Sequence, residues 1–469
     1  MTAPADGRDG TSWWKVGRNR PKHEAAGIPS GSGERLAKCF LLDGEAVDHE
    51  ISDLGPVVAL LDRRREELRA LSMDDIIALL AHLGKQLIKD PELSRMGGAT
   101  YISLWLRADN LERLCELNYG DRHRVDRFIG VLPGTEMRCQ PRGTSCHWLP
   151  NNVPVMSFFS LMLAVLSKNS SILKVSDINR PVLTAVLEKL KSIDIEVQGR
   201  RVMGATLVRS VCMLSFDSSS AADNTMLSLA ADVKVAWGSG EAVRAVAALP
   251  QKETCDTIIF GPKYSMAVFD QAFLAGDSSE EALKKLAQDA VLFDQTACSS
   301  PQVIILERGA VSARRLAEEL ATGFEALPVK LRHTQMAERQ CLEVISARGT
   351  YLLSEDRDVI MPRDLGWTIL LDQEEGLPEP VQGRCVFVRE VSDLNDVIAH
   401  ITRKVQTIAL CIHDRDRARA FADRASAAGV DRFVMPGEMH DFTLPWDGLM
   451  PLNRMVRWIT IRRRSEDDE

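Results

Sequence analysis

A single cysteine in the stretch FDQTACSSPQ, residues 293–302, stands in an unusual setting for a structural thiol. Cys298 lies among small polar residues, shortly before Pro301 and the strand-like run VIIL. Structural cysteines are normally buried among apolar residues, whereas a nucleophilic cysteine must become a thiolate and reach its substrate. This stretch alone gives equal weight to two interpretations of Cys298, a covalent nucleophile and a plain structural residue.

A pair of side-chain amides occurs in the stretch LPNNVP, residues 149–154. Asn151 and Asn152 follow a strand-like run and precede Pro154, a residue that helices accept in their first turn. An asparagine in this place caps the helix or directs an amide N–H at an oxyanion. On this stretch alone the helix cap is the favoured interpretation, and the oxyanion donor is the alternative.

Two further stretches place polar groups at the ends of predicted strands. Lys174 ends the run SSILK, and α/β sheets bind ligands at the carboxyl ends of their strands, although a lone lysine there is usually only solvated. Gly238, Ser239 and Gly240 separate the run VKVAW from a helical segment, as in a phosphate-binding turn. The turn lacks the full GxGxxG pattern, so its signal is weak when taken alone.

The elements that must position these residues alternate along the chain. From about Thr144 onward, short β-rich runs alternate with amphipathic helices, which predicts an α/β fold with a largely parallel sheet. A chain of 469 residues is too long for one typical core, so two or three domains are expected.

Composition excludes several classes of protein. The formal net charge of -8 argues against a nucleic-acid binder with a basic surface. The 10 cysteines show neither a CxxC pair nor zinc-ligand spacing, so we expect no metal, reduced thiols and a cytoplasmic protein. The longest apolar run, residues 153–166, has about 14 residues, fewer than the roughly 20 that a membrane span needs, so we expect a buried helix and no span.

The order of these features is more specific than any one of them. PNNVP is followed by ILKVSD, the WGSGE turn, IIFGPK and finally TACSS. The series resembles that of the aldehyde dehydrogenase superfamily, and the phrases HWLPNNVP, VAWGSGEAV and DQTACSSPQ are similar to signatures of the LuxC-type acyl-CoA reductase family. The resemblance extends over roughly Leu71 to Trp458. It implies an aldehyde dehydrogenase-like α/β fold, with two Rossmann-like domains and a small oligomerisation element.

The resemblance also suggests how the chain is divided. We expect a polar, flexible tail over residues 1–50 and, over 51–269, N-terminal helices and a cofactor-binding α/β domain. Residues 270–435 would form the catalytic α/β domain with the cysteine loop, and 436–469 an oligomerisation segment with a charged tail. A hairpin near residues 125–141 would join that segment in a homo-oligomer.

By the same resemblance, Cys298 forms a covalent thioester with the acyl group of the substrate. The side chain of Asn152 and the backbone amide of Cys298 would hold the oxyanion, although Asn151, where family members often carry glycine, competes for this role. The cofactor-binding set would be Lys174 at the ribose, Ser176, Asp177, and the turn Gly238, Ser239 and Gly240 under the pyrophosphate. NADPH is the expected cofactor, with NADH as the alternative because Asp177 would repel a 2′-phosphate.

One departure from the superfamily pattern concerns hydrolysis. In the aligned stretch IFGPK, anchored on Lys263, Ile259 takes the place of the glutamate that activates water in hydrolytic aldehyde dehydrogenases. This favours NAD(P)H-dependent reduction of a fatty acyl thioester, carried by CoA or by an acyl carrier, over oxidation of an aldehyde. Family members work with acyl-transferase and acyl-protein synthetase subunits, which are possible partners.

Two other functions stay open at this point. One is a non-catalytic acyl-binding or scaffolding homologue in a fatty-acid reductase complex, and the other is an oxidative aldehyde dehydrogenase. Met156, Phe158 and Phe159 on the apolar helix are candidates for the wall of an acyl tunnel, although plain core packing is the favoured interpretation for that helix.

Overall fold

Two large β-sheets follow one another along the chain. The computed structural model describes residues 37–95, 98–332, 336–443 and 445–463. Most of the predicted tail, residues 1–36, and the end of the charged C-terminus, residues 464–469, lie outside the described residues.

The strands in chain order are β1 (Ala37–Leu42), β2 (Glu45–Ile51), β3 (Ile129–Leu132), β4 (Thr135–Pro141), β5 (Thr144–Trp148), β6 (Ser170–Lys174), β7 (Asp194–Val197), β8 (Arg200–Met203), β9 (Val211–Ser215), β10 (Val233–Trp237), β11 (Asp256–Phe260), β12 (Tyr264–Phe269), β13 (Pro301–Glu307), β14 (Asp358–Ile360), β15 (Thr368–Leu371), β16 (Cys385–Val391), β17 (Val405–Cys411), β18 (Arg432–Val434) and β19 (Val456–Arg462).

The α-helices in chain order are α1 (Gly55–Ala70), α2 (Met73–Lys89), α3 (Ala99–Trp105), α4 (Ala108–Tyr119), α5 (Val155–Leu166), α6 (Arg180–Lys191), α7 (Ala205–Arg209), α8 (Ala221–Ala230), α9 (Gly240–Ala247), α10 (Gln271–Leu274), α11 (Ser279–Val291), α12 (Ala313–Glu325), α13 (Val329–Arg332), α14 (Glu338–Leu352), α15 (Arg415–Ala428) and α16 (Pro451–Arg454). Short 3₁₀ segments cover Leu93–Arg95, Arg122–Val125, Leu292–Gln295 and Leu394–His400.

The first sheet has the order β11-β10-β5-β6-β9-β1-β2. Its strands from β11 to β9 are parallel, and the hairpin β1–β2 completes the edge in antiparallel register. This hairpin corrects the prediction of a flexible tail to residue 50, because residues 37–51 are paired strands. Asp43 and Gly44 form its two-residue loop with φ values of 53° and 77°, and an Asp-Gly pair is favoured where both residues need positive φ.

The second sheet has the order β14-β15-β16-β13-β12-β17-β18. All neighbouring strands from β15 to β18 are parallel, and β14 is antiparallel to β15. The chain passes from the first sheet to the second at residues 261–263, so β12 belongs to the second sheet. The predicted boundary at residue 269 assigned this strand to the first domain, because β12 follows β11 after only three residues and without a helix between them.

A three-stranded antiparallel sheet, β19-β4-β3, joins the predicted hairpin near residues 125–141 to the C-terminal strand. The apolar helix α5 is buried along nearly its whole length, which is typical of a helix that is hydrophobic on all sides. Among the described residues, no helix combines the length and the apolar character that crossing a membrane requires.

Candidate active site

A cavity of about 900 Å³ is lined by segments from both sheets. The first-sheet wall consists of the carboxyl ends of β5, β6, β9, β10 and β11 with the residues that follow each strand. The second-sheet wall consists of the cysteine loop before β13 and of His440, Trp446 and Asp447 from the C-terminal segment. The two walls carry different kinds of side chain.

Lys174 ends β6 on the first-sheet wall, as predicted. Its Nζ donates to Ser218 Oγ at 2.8 Å and lies 4.8 Å from the centre of the Phe216 ring. Burial lowers the pKa of this ammonium, while the charge of Asp217 opposes the shift. A partly buried cation among serine hydroxyls is suited to bind an anionic or hydroxylated ligand.

The two asparagines after β5 have different surroundings. Asn151 Oδ1 accepts from Ser176 Oγ at 2.7 Å and from Asn179 Nδ2 at 3.4 Å, so its amide is part of the first-sheet wall. Asn152 Nδ2 instead donates to the carbonyl of Thr296 in the cysteine loop at 2.8 Å. Helix α5 has Pro154 as its N-cap and no side-chain cap bond, so the capping interpretation is wrong for both amides.

Asp177 is placed differently from the rest of the predicted cofactor set. Its carboxylate is 94% exposed and accepts from Arg180 Nη2 at 2.9 Å. Arg180 in turn stacks on the Phe40 ring, 4.4 Å from the ring centre. The charge that was expected to repel a 2′-phosphate is therefore solvated and paired at the rim of the cavity.

The glycine turn leads from β10 into α9. Gly238 has a φ of 149°, a value that favours glycine, and Ser239 Oγ caps α9 by accepting from the Ala242 backbone N–H at 3.3 Å. Gly238 and Ser239 line the cavity, whereas Gly240 begins the helix and is not among the lining residues. A capped helix N-terminus beside an open cavity suits the phosphates of a dinucleotide.

The cysteine loop has a strained backbone. Phe293, Asp294 and Gln295 have φ values of 55°, 49° and 63°, in the left-handed region that non-glycine residues seldom adopt. Gln295 is fully buried and anchors the loop, because its Nε2 donates to the carbonyls of Pro301 at 2.7 Å and Cys385 at 2.9 Å. Side-chain hydrogen bonds thus hold the backbone that leads to the candidate nucleophile.

Cys298 lies in this loop with its sulfur in contact with a second element. Gln406, at the start of β17, donates from Nε2 to Cys298 Sγ at 3.0 Å and also donates to Asp447 Oδ1. Burial, reinforced by the Asp447 charge, raises the pKa of the Cys298 thiol to about 12, against the effects of Gln406 and Arg432. The resting sulfur is therefore a thiol that must lose a proton before it can attack.

His440 supports the same loop from the C-terminal segment. Its Nε2 contacts the Asp289 carbonyl at 2.8 Å, and a carbonyl only accepts, so Nε2 carries the proton and Nδ1 accepts from Ser299 Oγ at 2.9 Å. Burial lowers the pKa of His440 to about 4. The ring is thus neutral near pH 7 and holds the residue that follows Cys298.

Sequence reasoning missed Gln406, His440 and Asp447, which belong to segments far from the cysteine along the chain. The residues after 435 were expected to form an oligomerisation segment with a charged tail; His440, Trp446 and Asp447 from this segment line the cavity. The one local signal was the Asp447-Gly448 pair, an indicator of a tight turn.

Three residues of the apolar helix divide between cavity and core. Met156 lines the cavity, whereas Phe158 and Phe159 are fully buried in the hydrophobic core.

Ile259 packs against a hydrophobic cluster of the first sheet, and Phe260, which stacks on Trp237, reaches the cavity instead. Ile259, at the position of the missing glutamate, and the neighbouring Phe260 are thus both apolar.

The model of one protein family, described as "Acyl-CoA reductase (LuxC)", matches residues 57–458 of this chain. The chain belongs to the LuxC family. The resemblance inferred from the motifs is thereby confirmed.

Curated relatives of this LuxC family member carry names that refer to acyl groups. It is 27% identical over 401 residues to the long-chain acyl-protein thioester reductase of Vibrio harveyi, a match that covers 83% of this chain and 77% of the relative. It is 26% identical over 387 residues to the long-chain acyl-protein thioester reductase 2 of Photobacterium leiognathi, with 78% and 74% covered.

Solved structures confirm the aldehyde dehydrogenase-like α/β fold of this LuxC family member. A methylmalonate-semialdehyde dehydrogenase from Sinorhizobium meliloti, described as putative and complexed with NAD, matches with a TM-score of 0.61 and 17% identity over 94% of this chain and 97% of that chain. The glyceraldehyde-3-phosphate dehydrogenase GapN from Methanocaldococcus jannaschii, complexed with NADP, gives 0.62 and 12% over 92% and 99%.

Proposed function

We propose that this protein reduces a long-chain acyl thioester to the aldehyde through an acyl-Cys298 intermediate, with NADPH as the reductant. The contact between Cys298 Sγ and the amide of Gln406, at a cavity that also presents Lys174 and the Ser239-capped helix, carries the proposal. The long-chain acyl group follows the names of the curated relatives.

In the proposed reaction, Cys298 attacks the thioester carbonyl and releases the carrier thiol. Asn152 lies against the cysteine loop, and its contact with Thr296 uses only one of the two amide hydrogens. The other hydrogen and the Cys298 backbone N–H would hold the oxyanion, a type of contact typically worth about 10²- to 10³-fold in rate. The role of Asn151 in the first-sheet wall supports Asn152 for this task.

The residues present fit a nicotinamide dinucleotide. Ser239 and the first turn of α9 would receive the pyrophosphate, and Lys174 with Ser176 and Ser218 would receive the ribose. When bound, the cofactor supplies the hydride that reduces the acyl group. NADPH is favoured over NADH because Asp177 is solvated and paired, so Lys174 is the charge best placed for a 2′-phosphate.

Ile259 argues against an oxidative aldehyde dehydrogenase, because it puts an apolar side chain at the position from which the glutamate of hydrolytic aldehyde dehydrogenases activates water. The ordered surroundings of Cys298 argue against a non-catalytic homologue. We also propose that β19-β4-β3 is the oligomerisation element, with Leu132 on its edge strand 70% exposed. Acyl-transferase and acyl-protein synthetase subunits are the proposed partners, and a cytoplasmic location is proposed with them.

The test is oxidation of NADPH or NADH by the purified full chain, with a series of acyl-CoAs and with acyl thioesters carried on a protein. We expect oxidation that depends on the thioester, yields aldehyde, and is faster with NADPH and with long acyl chains. Absence of both turnover and acylation at Cys298 would contradict the proposal and favour the non-catalytic homologue.

A further inference from the structure

Asp447 is a buried carboxylate beside the candidate nucleophile. Its place in a tight turn explains why an aspartate occurs there but not why its side chain is buried. Trp446 and Leu449 exchange backbone hydrogen bonds of 3.0 and 2.9 Å, and Asp447 and Gly448 between them have φ values of 50° and 70°. An Asp-Gly pair suits such a two-residue turn. A turn aspartate is normally solvated, however, and the side chain of Asp447 is only 4% exposed.

The contacts of Asp447 connect it to the sulfur. Gln406 Nε2 donates one hydrogen to Asp447 Oδ1 and the other to Cys298 Sγ at 3.0 Å. If the amide were reversed, its oxygen would face the carboxylate, so Asp447 fixes the orientation that directs an N–H at the sulfur. Because carboxylate and sulfur contact the same nitrogen, they are close neighbours.

Charged groups of both signs surround Asp447. Lys263 Nζ lies 3.8 Å from Asp447 Oδ1 and also pairs with Asp431. The Arg432 guanidinium stacks on Trp446, 5.0 Å from its ring centre, and its charge acts on both Cys298 and Asp447. Burial raises the pKa of the Asp447 carboxyl, and burial together with the Asp447 charge raises the pKa of the thiol.

A thiol and a buried carboxylate that contact the same amide nitrogen are placed to exchange a proton. Removing the thiol proton to water would leave two neighbouring anions, which like-charge repulsion opposes. Transfer of the thiol proton from sulfur to the carboxylate keeps a single negative charge at the site throughout. Lys263 and Arg432 lie nearby and can stabilise that charge on either group.

We propose that Asp447 receives the proton of Cys298 when the sulfur attacks the acyl carbon, directly or across one water molecule, and passes it to the departing thiolate. The inference rests on the proposed function. As the S–H bond of Cys298 breaks, an O–H bond forms on Asp447 and a C–S bond joins Cys298 to the acyl carbon. The C–S bond to the carrier then breaks, the O–H bond breaks, and the carrier thiol is formed, without any change of oxidation state.

The test compares two reactions of Cys298 in the full chain without a cofactor: alkylation by iodoacetamide and acylation by palmitoyl-CoA. Both are followed by mass spectrometry of the Cys298 peptide. In Asp447→Asn we expect faster alkylation at pH 7, by about tenfold for each unit that the thiol pKa falls, because a neighbouring negative charge is gone. Acylation should slow by about 10²- to 10⁴-fold, the usual contribution of general acid–base catalysis.

These opposite signs separate proton transfer from a structural role, which would slow both reactions together. Asn-Gly also suits the turn, so the variant should fold, and Asp447→Gly removes the carboxylate while keeping a compatible turn. Asp441→Asn, on the same segment but outside the cavity lining, is the matched control and should change neither reaction.

The leaving group gives an independent check. The loss in Asp447→Asn should be larger for an alkyl thioester such as palmitoyl-CoA than for an aryl thioester, since an aryl thiolate needs no proton to depart. An equal loss for both, or unchanged acylation, would overturn the inference while leaving the proposed function intact. Failure of the parent protein to acylate at Cys298 with any thioester would instead overturn the proposed function, and the inference with it.

Discussion

The first-sheet wall and the second-sheet wall of the cavity are built in opposite ways. The first-sheet wall presents the carboxyl ends of parallel strands, where Lys174 and the Gly238 turn each lie within one short stretch of sequence. The second-sheet wall presents the cysteine loop at the amino end of β13, and the neighbours of Cys298 come from distant segments, among them Gln406 at the start of β17. Binding groups are thus local in sequence, whereas the surroundings of the nucleophile depend on tertiary folding.

The largest effect should come from removing the nucleophile on the second-sheet wall. We expect Cys298→Ala to lower thioester reduction by roughly 10⁵- to 10⁶-fold, as for other covalent nucleophiles. The dissociation constant for NADPH, measured by fluorescence titration, should stay within about twofold because Lys174 and the glycine turn are untouched. Loss of NADPH binding in this variant would show that the two walls are not independent.

The neighbouring asparagines allow a sharper separation of the walls. Asn152→Ala should slow acylation of Cys298 by about 10²- to 10³-fold through loss of an oxyanion donor. Asn151→Ala should instead weaken NADPH binding, because its amide oxygen holds Ser176 and Asn179. Stopped-flow acylation and cofactor titration on both variants measure this; equal effects on acylation would contradict the assignment of the oxyanion donor to Asn152.

Much of the first-sheet wall could be predicted because its signals are contiguous. Lys174 and the Ser239 cap lie where the alternation of strand and helix indicated. Gln406 could not be predicted, since a glutamine at the start of a strand carries no signal until tertiary folding brings β17 beside the cysteine loop. The two Asp-Gly turns, at residues 43–44 and 447–448, did carry a local signal; the first lies in the predicted N-terminal tail and the second in the predicted oligomerisation segment.

Two buried, neutral histidines, His147 in β5 of the first sheet and His440 beside the cysteine loop, should make the protein sensitive to acid. Burial lowers the pKa of His147 to about 3 and that of His440 to about 4. A histidine in the unfolded chain has a pKa of about 6.5, so below that pH the unfolded chain binds protons that the two buried rings do not bind. The free energy of unfolding therefore falls as pH falls.

Between pH 7.5 and pH 5, each histidine should lower the free energy of unfolding by roughly 2 kcal/mol. His147→Gln and His440→Gln should each reduce the difference between urea unfolding midpoints at pH 7.5 and pH 5. Only the His440 change should alter the alkylation rate of Cys298, because His440 holds Ser299 in the cysteine loop. An effect of His147→Gln on alkylation would indicate that the core of the first sheet also positions the sulfur.

On the first-sheet wall itself, Lys174→Met tests the cofactor preference. A hydrogen bond to a charged group contributes about 1.5–3 kcal/mol, so NADPH should bind about 10- to 100-fold more weakly. NADH, which lacks the 2′-phosphate, should lose less. Alkylation of Cys298 should be unchanged, and an equal loss for both cofactors would contradict contact between Lys174 and the 2′-phosphate.

The smallest effect is expected at Asp177. It tests whether this acidic residue, which in the sequence suggested a preference for NADH, influences the choice of cofactor. An acidic residue three positions after the strand-end lysine suggested repulsion of a 2′-phosphate, which would favour NADH. The carboxylate is solvated and paired with Arg180, however, and exposed pairs contribute only about 0–1 kcal/mol. Asp177→Asn should therefore change the ratio of NADPH to NADH affinity by less than about threefold. A shift of about tenfold toward NADPH would mean that the Asp177 carboxylate turns toward the cofactor when it binds. The repulsion of a 2′-phosphate that the sequence suggested would then be correct for the bound state, although the carboxylate is exposed in this structure.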